Sequence, residues 1–256
     1  MFWKDKVILL TGASSGIGEA LAFEMARRGA VVGLLARREQ LLHNLVQKIQ
    51  HKNGVARYFA CDISDEIRVA EAAESMRREF GKIDILIANA GIGGGAKHAK
   101  ELRMGEFRQV LDTNLNGAVN AVSAVLPQML ERGSGQLVAI SSLAGFRGLP
   151  KSAAYCASKA GMTAFFESVR LDVQKSGIAV TIIQPGFIKT PLTSGRENKM
   201  PFIMELDDSI PLFLRAIEKR KKFAAFPWQL ASFVRAGKFF PSWLYDKIAG
   251  RAKYRE

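Results

Sequence analysis

Short apolar runs alternate with amphipathic stretches along most of this chain. The runs Val7–Leu10, Val31–Leu35, Ala56–Ala60, Ile83–Ala88, Gly135–Ile140, Ala179–Ile183 and Phe223–Phe226 are almost unbroken in hydrophobicity. Strands covered on both faces read this way. The stretches between them carry the helical period. Gly29, Gly54 and Gly81 each follow a helical stretch and precede a strand, where a left-handed residue commonly closes a helix. Ser64-Asp65-Glu66 reads as a helix start with an acidic first turn. Repeated strand–helix–strand units predict an α/β fold: a parallel sheet of about seven strands, helices on both faces and right-handed crossovers. No linker interrupts the pattern before about residue 190. One domain over 1–226 is expected, followed by an extension, 227–256, of different character.

The first turn carries candidate chemistry. After Val7–Leu10 comes Thr11-Gly12-Ala13-Ser14-Ser15-Gly16-Ile17-Gly18, then a helix. A strand, a glycine-rich turn and a helix N-terminus together form an anion site. Gly12 permits the tight turn, Gly16 lets a pyrophosphate approach the backbone, and Gly18 allows helix and strand to pack closely. The second strand ends at Leu35-Ala36-Arg37-Arg38. A fold that prefers NAD usually places an acid there to accept from the ribose 2′-hydroxyl. Here Ala36 and two arginines stand instead, and a guanidinium suits a 2′-phosphate. The expected cofactor is NADP(H). The plainer alternative is that Arg37 and Arg38 are solvated residues at a helix start.

A second constellation lies further on. Tyr155 and Lys159 are four residues apart, hence on one helix face, and Ser142 precedes Tyr155 by thirteen. A phenol titrates near 10 in water. An ammonium beside it favours phenolate and brings the group toward the working range of an acid or base. Ser142 can fix a substrate oxygen, with Ser141 as its competitor.

Composition narrows the classes. The chain has 256 residues, 48% of them apolar, enough for a sizeable core. No segment reaches the ~20 uninterrupted apolar residues of a membrane span, and the N-terminal apolar run is too short for a signal peptide. Two cysteines, Cys61 and Cys156, suggest no disulfide framework, and His43, His51 and His98 show no metal-ligand spacing with them. No metal is expected, and the setting is expected to be cytoplasmic. Cys156 reads as a buried thiol and His98 as solvent-exposed. The net charge of +13 is uneven: residues 212–256 hold eleven Lys/Arg against three Asp/Glu. Such a tail suits an anionic partner.

With both ends in view, the chain resembles the short-chain dehydrogenase/reductase family over about residues 5–226. The segment 11–18 is similar to the family's cofactor turn. CDIS at 61–64 matches the segment where Asp62, with Ile63, lies by the adenine. ANAG at 88–91 (Asn89, Ala90, Gly91) is similar to NNAG, with Ala88 for the first Asn at what reads as a structural turn. Asn114, Ser142, Tyr155 and Lys159 match the catalytic tetrad, and Pro185-Gly186-Phe187-Ile188-Lys189-Thr190 the segment that closes over the nicotinamide.

The resemblance implies a single Rossmann-like, doubly wound domain. It implies hydride transfer between NADP(H) and a carbonyl or secondary alcohol. Tyr155 would be the acid or base, Lys159 would lower its pKa and bind the nicotinamide ribose, Ser142 would bond the substrate oxygen, and Asn114 would hold a proton-relaying water. Cofactor contacts are expected from Gly12, Ser14, Ser15, Gly16, Ile17, Gly18, Arg37, Arg38, Asp62, Ile63, Asn89, Ala90, Gly91, Tyr155, Lys159, Pro185, Gly186, Ile188 and Thr190. A homodimer or homotetramer is implied, because the helix around Tyr155–Phe166 is apolar on more than one face. The rival class is a non-catalytic NADP-binding regulator of the same fold.

A lid over about 190–220 is expected to cover the substrate. Its apolar residues, Leu192, Met200, Phe202, Ile203, Met204, Leu206, Ile210, Leu212, Phe213 and Leu214, point to a lipophilic ketone or alcohol, fatty-acyl, steroid-like or sphingoid-like. In the tail, Phe226, Trp228, Phe233, Phe239, Phe240, Trp243 and Tyr245 alternate with Arg235, Lys238, Lys247, Arg251, Lys253 and Arg255. Two readings stay open: a peripheral membrane surface, or helices covering the cleft or a subunit interface. Nucleic acid is not expected, because no such module is visible.

Overall fold

The computed structural model describes residues 2–94 and 98–251. Gly95-Ala96-Lys97 and the tail cations Lys253 and Arg255 lie outside the described residues. Seven parallel strands form one sheet in the order β3-β2-β1-β4-β5-β6-β7. They are β1 Val7–Thr11, β2 Val31–Ala36, β3 Val55–Ala60, β4 Ile85–Ala88, β5 Gly135–Ile140, β6 Ile178–Pro185 and β7 Phe223–Phe226. The helices are α1 Gly16–Arg27, α2 Glu39–Gln50, α3 Glu66–Phe80, α4 Met104–Leu111, α5 Gly117–Arg132, α6 Ala153–Asp172, α7 Leu206–Glu218, α8 Trp228–Gly237 and α9 Ser242–Ala249. No helix among the described residues is long and apolar enough to cross a membrane.

The unbroken hydrophobicity of the strands follows from a core on each face. Successive strand side chains point to opposite sides. Ile8 and Leu10 join one cluster with Leu34 and Phe213, whereas Val7 and Leu9 join the other with Leu35 and Phe166. Phe166 and Phe213 are fully buried; burial of a side chain this size contributes about 1.5–3 kcal/mol. Strand order reverses between β1 and β4, which opens a crevice at their carboxyl ends.

Several local expectations shift. β4 begins at Ile85, because the Ile83 N–H donates to Gln128 and its carbonyl accepts from Arg132, both on α5. Ala88 is the last residue of β4, paired with Ala139, and not part of a turn. Asp65, not Ser64, caps α3 and accepts from the Arg68 N–H at 3.1 Å. Gly29 and Gly81 take left-handed φ values of 91° and 79°, but before β3 that conformation falls on Asn53 (φ 59°) and not on Gly54. On α6, the face carrying Ala153, Ala157, Ala160 and Ala164 remains exposed.

The expected lid divides in two. Leu192 and Met200 line the cavity described below. Ile210, Phe213, Leu214 and Ile217 recur at helical spacing on α7 and belong to the core. Thus α7 is a sheet-covering helix, and the covering segment is confined to about Thr190–Pro201.

Candidate active site

A single cavity of about 730 Å³ lies at the carboxyl ends of the strands. It brings together every residue put forward from the sequence for catalysis or cofactor contact except Asn114.

At one end is the glycine turn. Gly12 has φ +68°, and a Cβ there would stand 2.6 Å from Ala90 Cα. On Gly18 a Cβ would stand 2.2 Å from the Gly12 carbonyl oxygen. Asn89 holds this closeness: its Nδ2 donates to Thr11 O and Gly12 O at 3.0 and 3.2 Å. The backbone N–H groups of Asn89 and Ala90 donate to Thr11 Oγ1, both at 3.0 Å. Asn89 therefore staples β4 to the turn. The backbone leaves room for a pyrophosphate against the α1 N-terminus, which fits a dinucleotide.

Beyond β2 the two arginines differ. Arg38 donates to Ser14 Oγ from Nε and Nη2 at 3.1 and 2.9 Å, and to Ser15 Oγ from Nη2 at 2.6 Å. Arg37 turns to Asp62, at 3.4 Å. Ala36 thus supplies no competing acid, but Asp62 does. Burial pulls the Asp62 pKa up, yet hydrogen bonds from the Ser64 N–H and hydroxyl, with Arg37 beside it, carry it below the usual carboxylate value.

At the other end, α6 presents Tyr155 and Lys159 to the cavity. Lys159 is buried. Its Nζ donates to Ile140 O at 2.8 Å, and burial pushes its pKa down to about 8. A Cβ on Gly91 would stand 3.5 Å from Lys159 Nζ and 3.4 Å from Asn114 Oδ1, so these groups meet at the end of β4. The two serines separate cleanly. Ser141 Oγ donates into α6, to Lys159 O at 3.0 Å, with Thr163 Oγ1 at 2.8 Å. Ser142 Oγ accepts from the Ala144 N–H at 3.1 Å and opens a short turn on the cavity wall.

Asn114 lies behind the cavity, fully buried in a π-turn, Asp112–Asn116, between α4 and α5. Its Oδ1 accepts from Ile92 N at 2.7 Å, and its Nδ2 donates to Ile92 O and Ser158 Oγ, both at 3.0 Å. Ser158 Oγ in turn donates to Tyr155 O at 2.8 Å. The side chain is thus engaged by protein. It locks the segment after β4 onto α6.

The far wall comes from the C-terminal extension. Leu230 and Ala231 of α8 pack on Leu143, with Phe146 and Phe187 against them. Phe240 and Tyr245 also line the cavity. Arg147 fastens this extension: its Nη1 donates to Gly237 O and Phe240 O at 2.8 and 2.9 Å, and its guanidinium lies 3.8 Å from the Tyr245 ring centre. Tyr245 donates to Gly148 O at 2.6 Å. The tail therefore covers the cleft, one of the readings the sequence left open, but a lone arginine in a short loop gave no sign of the clamp that holds it there. Cys61 lines the cavity beside Asp62, and burial pushes its thiol up to about 11.

The family model for short chain dehydrogenase matches residues 6–201. An uncharacterised oxidoreductase of Myxococcus xanthus is 42% identical over 248 residues, 97% of this chain and 98% of the relative. A 3beta-hydroxysteroid dehydrogenase of Mediterraneibacter gnavus is 34% identical over 189 residues, 74% of this chain and 68% of the relative. Among solved structures, a short chain dehydrogenase of Mycobacterium paratuberculosis bound to NAD superposes with a TM-score of 0.81 at 25% identity, covering 89% of this chain and 97% of its own. The chain belongs to the short-chain dehydrogenases and is an oxidoreductase of that type.

Proposed function

We propose that the protein uses NADP(H) to interconvert a lipophilic ketone and its secondary alcohol. One observation carries the reading: a single cavity runs from the glycine turn, past Ser142, Tyr155 and Lys159, to an apolar wall built by α8 and α9. The hydride would come from the dinucleotide, and no residue of this chain need be oxidised or reduced. Arg38 and the hydroxyls of Ser14 and Ser15 would hold a 2′-phosphate, since they already form one hydrogen-bonded group at that end. Ser142 would orient the substrate oxygen, and Tyr155 would give that oxygen a proton in reduction and take it back in oxidation. Lys159 would supply the charge that favours the phenolate. Asn114 would act by holding α6 and the segment after β4 in register. The steroid activity named for the Mediterraneibacter gnavus relative accords with a bulky apolar substrate. NAD in the Mycobacterium paratuberculosis structure leaves the choice between the two cofactors to the residues after β2.

The cofactor reading is tested by kcat/KM with NADPH and NADH. NADPH should be preferred. Arg38→Ala should lower the NADPH value about 10–100-fold, the worth of a lost charge-assisted contact, and leave NADH unchanged. Ala36→Asp/Arg37→Leu should shift preference toward NADH. A native preference for NADH would refute the reading.

The pH dependence has a definite sign. The folded-state pKa of Lys159 is depressed to about 8, so the ammonium is present below that value and lost as pH rises through it. kcat/KM for ketone reduction should therefore fall progressively above about pH 8. A profile flat to pH 10 would remove Lys159 from the mechanism.

A further inference from the structure

We propose that the outer face of α8 and α9 docks on an anionic lipid bilayer, so that apolar substrate passes from the lipid into the cavity without crossing water. The inference rests on the lipophilic substrate proposed above, but its test does not.

Three observations converge on this face. First, its large aromatics are bare: Trp228, Phe239 and Trp243 are 72, 86 and 70% exposed. Exposed rings grouped on one surface mark an interaction site, and indoles favour the headgroup level of a bilayer. Second, the patch is continuous with the cavity. Phe233 and Ile248 line the cavity and are also exposed, so they stand at its rim. Third, the charge is one-sided. Residues 227–251 contain Arg235, Lys238, Lys247 and Arg251, all exposed, against a single acid, Asp246. An anionic surface complements that excess. A second copy of this chain does not: two-fold pairing would set the excess of three positive charges against the same excess on the partner. The basic run Lys219–Lys222 is a separate feature. It precedes β7, at the end of the sheet away from the carboxyl ends.

The test uses the full-length protein with vesicles of phosphatidylcholine alone or mixed with phosphatidylglycerol. Trp3 is buried, so any vesicle-dependent change in tryptophan emission comes from Trp228 and Trp243. The expected result is co-sedimentation and a blue shift with phosphatidylglycerol, weakened at 1 M salt, where the Debye length is about 3 Å. Each charge removed in Lys238→Gln/Lys247→Gln/Arg251→Gln should lower the partition constant about fivefold at low salt. Trp228→Ser/Phe239→Ser/Trp243→Ser should abolish binding, whereas Ile67→Ser, an equally bare apolar residue on α3, should not. None of the three aromatics lines the cavity, so reduction of a small water-soluble ketone should persist in that variant. Absence of vesicle binding at low salt, or binding that survives the triple substitution, overturns the proposal. So does a dimer in light scattering that the triple substitution dissolves, which would assign the face to a second copy. Vesicle binding without ketone reduction by the unaltered protein would leave the docking face standing and refute the catalytic reading instead.

Discussion

Tyr155→Phe is expected to lower kcat for ketone reduction by about 10²–10⁴-fold, the worth of a positioned general acid, with the cofactor's Kd almost unchanged. The substitution removes one oxygen and keeps the ring that fills its place on α6 beside the cavity. The glycine turn and the Arg38 group lie at the other end and should hold dinucleotide as before. Isothermal titration for cofactor and single-turnover kinetics for chemistry separate the two effects. Retained turnover would remove Tyr155 from the mechanism. If the native chain binds cofactor but turns over no ketone across a broad panel, it is better read as a dinucleotide-binding regulator.

Gly18→Ala is expected to damage fold and cofactor binding together. The added Cβ would stand 2.2 Å from Gly12 O and 2.7 Å from Asn89 Nδ2. The first neighbour is backbone and the second is the staple that holds the turn to β4. Overpacking of this kind costs about 1–3 kcal/mol, or roughly 2–12 °C in Tm for a chain of this size. The turn would have to open, and affinity for dinucleotide should fall with it. Gly105→Ala on α4 meets nothing within 4 Å and serves as the control. Unchanged Tm and Kd would mean that the turn yields without harm.

Legibility followed the range of the interactions. The five inner strands were readable because burial on both faces leaves a local signature, runs of Val, Ile and Leu; the edge strands β3 and β7, only partly buried, showed themselves by their place between helices. The glycine turn and the Tyr155/Lys159 pair were readable because their chemistry is fixed by short spacing. The roles of neighbours were not. Whether Arg37 or Arg38 meets the turn depends on which way the chain leaves β2, and Asp62 enters from another crossover. The lid was overextended because α7 is as apolar as a cover would be. Its stripe at 210, 213, 214 and 217 was nevertheless present in the sequence, and it marks a helix packed on a sheet. The left-handed residue before β3 fell on Asn53 because the helix closes one residue early, and Asn tolerates that conformation better than most. Asn114 was placed by resemblance, but its three hydrogen bonds reach Ile92 and Ser158, positions no local pattern connects.

Arg147 grips the C-terminal helices by two backbone carbonyls and one ring. Carbonyls are offered by every sequence, so most of this tether is indifferent to which side chains α8 and α9 carry. The candidate reacting groups, meanwhile, sit within residues 6–201, the part matched by the family model. One apolar wall of the cavity and the candidate reacting groups therefore lie on separately editable parts of one chain. Exchanging the side chains of α8 and α9 other than Tyr245 would redraw that wall and leave the Arg147 clamp, Ser142, Tyr155 and Lys159 in place, so the shape of the cavity can be altered through fewer than twenty residues at one end of the chain.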